Sequence, residues 1–163
     1  MKLDSPIASE SFAFESEFID ALTDIFERQI AFNQVLGLQI TRIAPQGVES
    51  RIAMKPELVG HFAFNRVHGG VISAALDAMA GLAVMAAIGA RHMDEPPAKR
   101  LQRFSKLGTI DLRIDYLRAA IGAQFKQRAQ VLRLGSRVAT VRMEFLSASD
   151  ELLSVGTASY IVS

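Results

Sequence analysis

The sequence predicts an α+β domain in which a curved antiparallel β-sheet wraps one long central α-helix. Three observations predict it. Val71 to Ala90 is a run of twenty residues carrying a single charge, Asp77, too long for a strand and apolar nearly all round. Two short alternating segments precede it and four follow, the last three joined by turns short enough to demand antiparallel pairing. A helix that is apolar on every side needs cover on every side, and a sheet that curls around it supplies that cover. At 163 residues, half of them hydrophobic, the chain has the size of one domain with a substantial core.

The elements follow in order. Residues 1–31 read as an N-terminal extension and residues 32–163 as the domain proper. The first residues carry Asp4 and lack a long apolar core, so they do not read as a secretory signal. From Glu15 to Gln34, Phe18, Ile19, Leu22, Ile25, Phe26 and Ile30 recur at helical spacing, predicting one amphipathic helix that Gly37 ends. Leu38–Ala44 and Val48–Met54 read as a hairpin around Pro45-Gln46-Gly47, with Val48, Ser50, Ile52 and Met54 on one face. A loop over Lys55–Val67 leads to the long helix, whose Met79, Leu82 and Met85 read as plain core. Arg91–Leu107 holds five Lys and Arg around Pro96-Pro97 and reads as a solvated loop. Thr109–Leu117 is the clearest strand: Ile110, Leu112, Ile114 and Tyr116 alternate with Asp111, Arg113 and Asp115, and parity sets Thr109 with the polar group. Phe125–Leu134, Arg137–Leu146 and Leu152–Val162 complete the sheet.

Composition excludes several functions. Eighteen Lys and Arg against seventeen Asp and Glu give a net charge of +1, and there is no Trp and only two Tyr, so nothing suggests a nucleic-acid surface. With no Cys, disulfides, thiolate metal sites and a Cys nucleophile are out, and a reducing cytoplasm is the expected setting. The long apolar run is rich in Ala and interrupted by Asp77, which argues for a helix buried in protein over one inserted in a membrane. His61 and His68 stand in a loop with no third ligand in view, so no metal is expected.

Chemistry concentrates in His68–Asp77, HGGVISAALD. Gly69 and Gly70 would present unhindered backbone N–H groups at a helix N-terminus, where a developing oxyanion is stabilised. Asp77 would be a carboxylate in apolar surroundings, fit to act as base or nucleophile. These tools suit cleavage of an activated acyl bond. On an unbroken helix, eight residues separate Gly69 from Asp77 by about 12 Å at about 1.5 Å per residue, too far for both to reach one carbonyl. Two copies related by a two-fold axis could supply one group each. Ser73, Ala74, Ala80 and Gly81 beside Asp77 are small and leave room for substrate or a second chain.

The order of elements and the segment Asn65-Arg66-Val67-His68-Gly69-Gly70 through Asp77 resemble the hotdog-fold acyl-CoA thioesterases, in particular the phenylacetyl-CoA and 4-hydroxybenzoyl-CoA types. GTIDLRIDYLRAA at Gly108–Ala120, the later LGSRVATVRMEF and LLSVGTASYIV look like the family's remaining strands, so the resemblance spans about residues 32–163. It implies that the Gly69 N–H polarises the thioester carbonyl, that Asp77 activates water or attacks, and that Thr109 helps hold the water. His68 would fix the loop, with Gly70 and Ser73 lining the substrate. Two positions depart from the family: Phe62 stands where relatives carry Asn or Gln, leaving Asn65 or His61 as substitutes, and Leu117-Arg118-Ala119 replaces Leu-Arg-Pro. Arg118 and Arg137, at strand ends, are candidates for the coenzyme phosphates. The resemblance implies no cofactor beyond the substrate's own coenzyme A, a small or medium acyl or aryl group, and a homodimer or homotetramer. Two other readings stay open: a non-catalytic acyl-CoA binding module, and a hotdog dehydratase or hydratase, for which no Asp-x-Asn-Pro-x-His pattern is present.

Overall fold

In the computed structural model, which describes residues 13–163, the N-terminal segment folds as two helices and not as the single one expected over Glu15–Gln34. The opening residues read for a secretory signal lie outside the described residues up to position 12. Helix α1 (Ser16–Asp24) passes into a π-turn at Ile25–Gln29, Ile30 is extended (φ −82°, ψ 101°), and α2 (Ala31–Leu36) begins afresh. Apolar spacing continues across the break, so periodicity alone does not reveal it. In the π-turn the Ile30 N–H bonds the Ile25 carbonyl, and the buried Asn33 side chain donates to the freed Phe26 carbonyl at 2.9 Å. Gly37, at φ +69°, closes α2 in the left-handed conformation that favours glycine.

The segment read as a solvated loop after Arg91 is also corrected. It contains α4 (Pro97–Gln102) and a 3-10 turn (Arg103–Lys106), and Arg100 is fully buried. Its guanidinium bonds both Glu15 oxygens at 2.7 Å and stacks 4.4 Å over the Phe18 ring. The fork and flat face of arginine allow both contacts at once, so one of five cations that signalled solvent clamps α1 to the core. This clamp titrates. The hydrogen bond from Arg100 holds the Glu15 carboxyl below the usual Glu range, so its stabilisation is present above the unfolded pKa and is lost as pH falls through the folded one. Glu15→Gln should therefore lower Tm at neutral pH, with the gap to wild type closing in acid. A pH-independent gap in thermal melts would show that the pair contributes no charge-dependent stability.

The main sheet has the expected strands. Hairpin β1 (Gln39–Ala44) and β2 (Gly47–Ala53) turns through Pro45-Gln46, and Val48, Ser50 and Ile52 face the core as the alternation requires. Two short strands, β3 (Val59–His61) and β4 (Arg66–Val67), pair inside the loop that precedes α3 (Gly69–Arg91). The chain continues through β5 (Gly108–Tyr116), β6 (Gln124–Leu134), β7 (Val138–Ser147) and β8 (Leu152–Ile161). The order is β1-β2-β6-β7-β8-β5, antiparallel throughout.

Helix α3 crosses the concave face, where Phe125, Val141, Met143, Phe145 and Ala158 pack against it, and thirteen of its 23 residues are buried. Met79, Leu82 and Met85 are core, as read. The helix is long and apolar enough to cross a membrane by length and composition, but its apolar surface is spent on the sheet. Its C-terminal Arg91 reaches the Leu134 and Gly135 carbonyls of the β6–β7 turn, fixing the far end of the helix.

Candidate active site

The first turn of α3 shows why a histidine precedes two glycines. His68 is the N-cap: its backbone is extended and its Nδ1 accepts the Gly70 N–H at 2.9 Å. Its carbonyl accepts from Val71 at 3.0 Å and Ile72 at 3.3 Å. The four N–H groups that the helix itself leaves unpaired are those of His68, Gly69, Gly70 and Val71, and three are used: the His68 N–H bonds the Leu58 carbonyl at 2.9 Å, and those of Gly70 and Val71 bond His68. The Gly69 N–H has no acceptor among the described residues. It stands at the positive end of a 23-residue helix, facing a groove of about 530 Å³ that Arg66, Arg118 and Tyr116 also line. Gly69 does not adopt a positive φ, and an added Cβ would meet the Tyr116 ring at 3.4 Å, an ordinary contact. Folding therefore does not demand glycine here. On its other side the Gly69 peptide is pinned, since Tyr116 Oη donates to its carbonyl at 2.9 Å and Ser73 Oγ at 3.1 Å.

Two turns along the same helix, Asp77 is held by one of its oxygens. Oδ1 accepts from Thr109 Oγ1 at 2.9 Å and from the Tyr160 hydroxyl, which also lies 2.6 Å from the Asp77 carbonyl. Burial, and next the hydrogen bond to Asp77, push the Tyr160 phenol well above its ordinary pKa, so it stays a proton donor. Oδ2 has no hydrogen-bond partner among the described residues. Asp77 lines a largely apolar pocket of about 310 Å³ with Phe26, Ile30, Phe32, Phe104 and Leu107. One oxygen orients the carboxylate and the other is open for chemistry.

Thr109 reaches Asp77 because strict alternation fails at this point. The β5–β8 register slips between Thr109 and Asp111, with Thr109 opposite Tyr160 and Asp111 opposite Ser159. Ile110 is the extra residue of a β-bulge and is 57 % exposed. Thr109 consequently shares the helix-facing side with Leu112 and Ile114, against the parity expectation that set it with Asp111 and Arg113.

The nine residues singled out from the sequence are thus distributed among several places. His68, Gly69 and Arg118 meet at the groove, with Gly70 and Ser73 bonded into the helix turn beside it. Asp77 and Thr109 form the second cluster. Arg118 pairs with Glu151 at 3.0 Å and donates to the Leu152 carbonyl at the groove's rim. Asn65, in the left-handed region at φ 48°, lines a different groove with Lys55 and Ile121. Arg137 lies in the β6–β7 turn and lines neither cluster.

Sequence reasoning missed Tyr116, Tyr160 and Arg66. A signal for Tyr160 was present: it shares parity with Ser154, Gly156 and Ala158, so its hydroxyl faces a helix whose one carboxylate is Asp77. Tyr116 and Arg66 carried none, because their proximity to Gly69 arises from the end of a strand and a two-residue strand in the loop.

The family model of the thioesterase superfamily matches residues 64–154, a stretch that includes Gly69, Asp77 and Thr109. Medium/long-chain acyl-CoA thioesterase YigI of Escherichia coli K12 is 35 % identical over 139 residues, which are 85 % of this chain and 90 % of that protein. The protein of the same name from Salmonella typhimurium is 36 % identical with the same coverage. A crystal structure of a Shewanella oneidensis protein related to the thioesterase superfamily superposes with a TM-score of 0.85 at 37 % identity, covering 90 % of this chain and 96 % of that one. Zebra fish thioesterase superfamily member 2, at 18 % identity and a TM-score of 0.70 over 93 % of this chain and all of that one, shares the fold.

Proposed function

The chain belongs to the thioesterase superfamily, and on that premise we propose that it hydrolyses acyl-CoA to free acid and coenzyme A through the Gly69 N–H and the Asp77 carboxylate. The thioester carbonyl oxygen accepts the unused Gly69 N–H at the helix N-terminus, which stabilises the negative charge that forms there. Asp77, oriented through Oδ1, takes a proton from water at Oδ2 as the water oxygen bonds the carbonyl carbon. The carbon–sulfur bond then breaks, and the proton passes to the departing thiolate. Direct attack by Asp77 followed by hydrolysis gives the same products.

The observation that carries this reading is the unbroken course of α3 from Gly69 to Asp77. The two groups lie about 12 Å apart along the axis and cannot serve one carbonyl within one chain. Strand β5 suggests how two chains solve this. It is an outer strand of the sheet, with Tyr116 at the Gly69 end and Thr109 at the Asp77 end. Antiparallel pairing of β5 with β5 of a second copy would set each chain's Gly69 end beside the other's Asp77 end. The working unit is then a homodimer, with tetramers built from dimers. The substrate acyl group is aliphatic and of medium or greater length, in keeping with the apolar pocket at Asp77 and with what the relatives are named for. The enzyme uses no cofactor of its own, and a cysteine-free chain suits the cytoplasm.

Thiol release from an acyl-CoA panel, run beside an enoyl-CoA hydration assay, tests the reaction, and only the first should proceed. Sharing of the site is tested by mixing two inactive proteins, Asp77→Asn and Gly69→Pro. Random reassembly should restore roughly a quarter of wild-type activity, since half the dimers are mixed and each has one intact site. A fully active monomer by light scattering would overturn the shared site.

A further inference from the structure

The pocket at Asp77 extends one helical turn along α3 to Gly81, and the residues that narrow it there come mostly from outside the central helix and sheet. Gly81 lies four residues beyond Asp77 on the same helix face. Around it converge Phe26 from the π-turn, Leu107 and Phe104: a Cβ placed on Gly81 would stand 3.7 Å from both Leu107 and Phe26. The Phe26 and Phe104 rings meet edge to face, with centroids 5.7 Å apart. Phe26 is held firmly, being 2 % exposed and having its carbonyl bonded by the buried Asn33. This narrow point therefore has a fixed side, Phe26, a half-buried side, Phe104, and an unfilled methyl-sized space at Gly81.

We propose that the Phe26–Gly81–Phe104 cluster is the constriction a medium or long acyl chain must pass, and so sets how well long chains are accepted relative to short ones, with the N-terminal helices and the segment after α3 acting as specificity elements. This inference rests on the hydrolytic reading above. An acyl chain whose carbonyl lies at Asp77 and which follows the apolar walls away from it reaches this cluster after one helical turn, about 5.4 Å along the axis, so a butyryl chain stops short of it and a medium or long chain has to pass it. Each methylene that no longer fits in an apolar pocket changes selectivity by roughly tenfold or more.

The test compares kcat/KM for dodecanoyl-CoA and butyryl-CoA. Gly81→Ala fills the space without displacing a neighbour and keeps a helix-favouring residue, so the fold should hold. Its dodecanoyl-to-butyryl ratio should fall about tenfold below wild type. Phe104→Ala, which removes the half-buried wall, should raise the same ratio by about tenfold. Opposite shifts from opposite sides of one pocket are not produced by general loss of stability. Ratios that stay within about twofold of wild type, or that move in the same direction in both variants, would overturn the proposal. Wild-type protein that releases thiol from neither substrate would instead overturn the hydrolytic reading, and the chain-length preference with it.

Discussion

Asp77→Asn should fold normally and lose about a hundredfold or more in kcat. The amide keeps the shape of the carboxylate, and its oxygen can still accept from Thr109 and Tyr160, so the cluster around Oδ1 survives. What disappears is the second oxygen's capacity to take a proton or to attack. Loss of a positioned general base costs about 10²–10⁴ in rate, whereas loss of a merely structural hydrogen bond would appear in Tm and leave turnover nearly intact. Thiol-release kinetics and a thermal melt on one preparation separate the two. A folded Asp77→Asn protein with near-wild-type kcat would remove Asp77 from the chemistry.

The complementary experiment deletes the proposed oxyanion donor without touching a side chain that does anything else. Gly69→Pro removes one N–H at the first position of a helix, where proline is well tolerated. The preceding His68 already has the extended backbone that proline requires before it (φ −65°, ψ 136°). The deleted N–H has no acceptor among the described residues, so no bond recorded there is broken. Tm should match or exceed that of wild type, while kcat falls by about 10²–10³, the range seen when one oxyanion-hole donor is removed. Gly69→Ala, which keeps the N–H, should lose much less. Equal losses in the two variants would point to crowding by the Tyr116 ring as the cause and move the oxyanion site elsewhere.

Much of this molecule was legible in its sequence because the relevant signals are local or periodic. An apolar run with one carboxylate has to be a covered helix, and alternating segments with short turns have to be an antiparallel sheet. His68-Gly69-Gly70 at the start of such a helix leaves a backbone donor exposed, since four N–H groups lack helical partners and the N-cap takes those of Gly70 and Val71, passing over Gly69. The separation of Gly69 from Asp77 follows from helix rise alone.

Only the tertiary structure decided the rest. The bulge at Ile110 turns Thr109 toward Asp77, and a single inserted residue leaves no trace in an alternation read over a few positions. The break at Ile30 falls inside an unbroken apolar period because both halves bury their faces in the same core. Arg100 sits inside that core because Glu15, 85 residues away in sequence, comes to meet it. The chain by itself therefore determined where the candidate groups stand and how far apart one helix holds them. What orients Asp77, and what narrows the pocket beyond it, depends on side chains brought together by packing, whose partners are distant in sequence and carry no local signature.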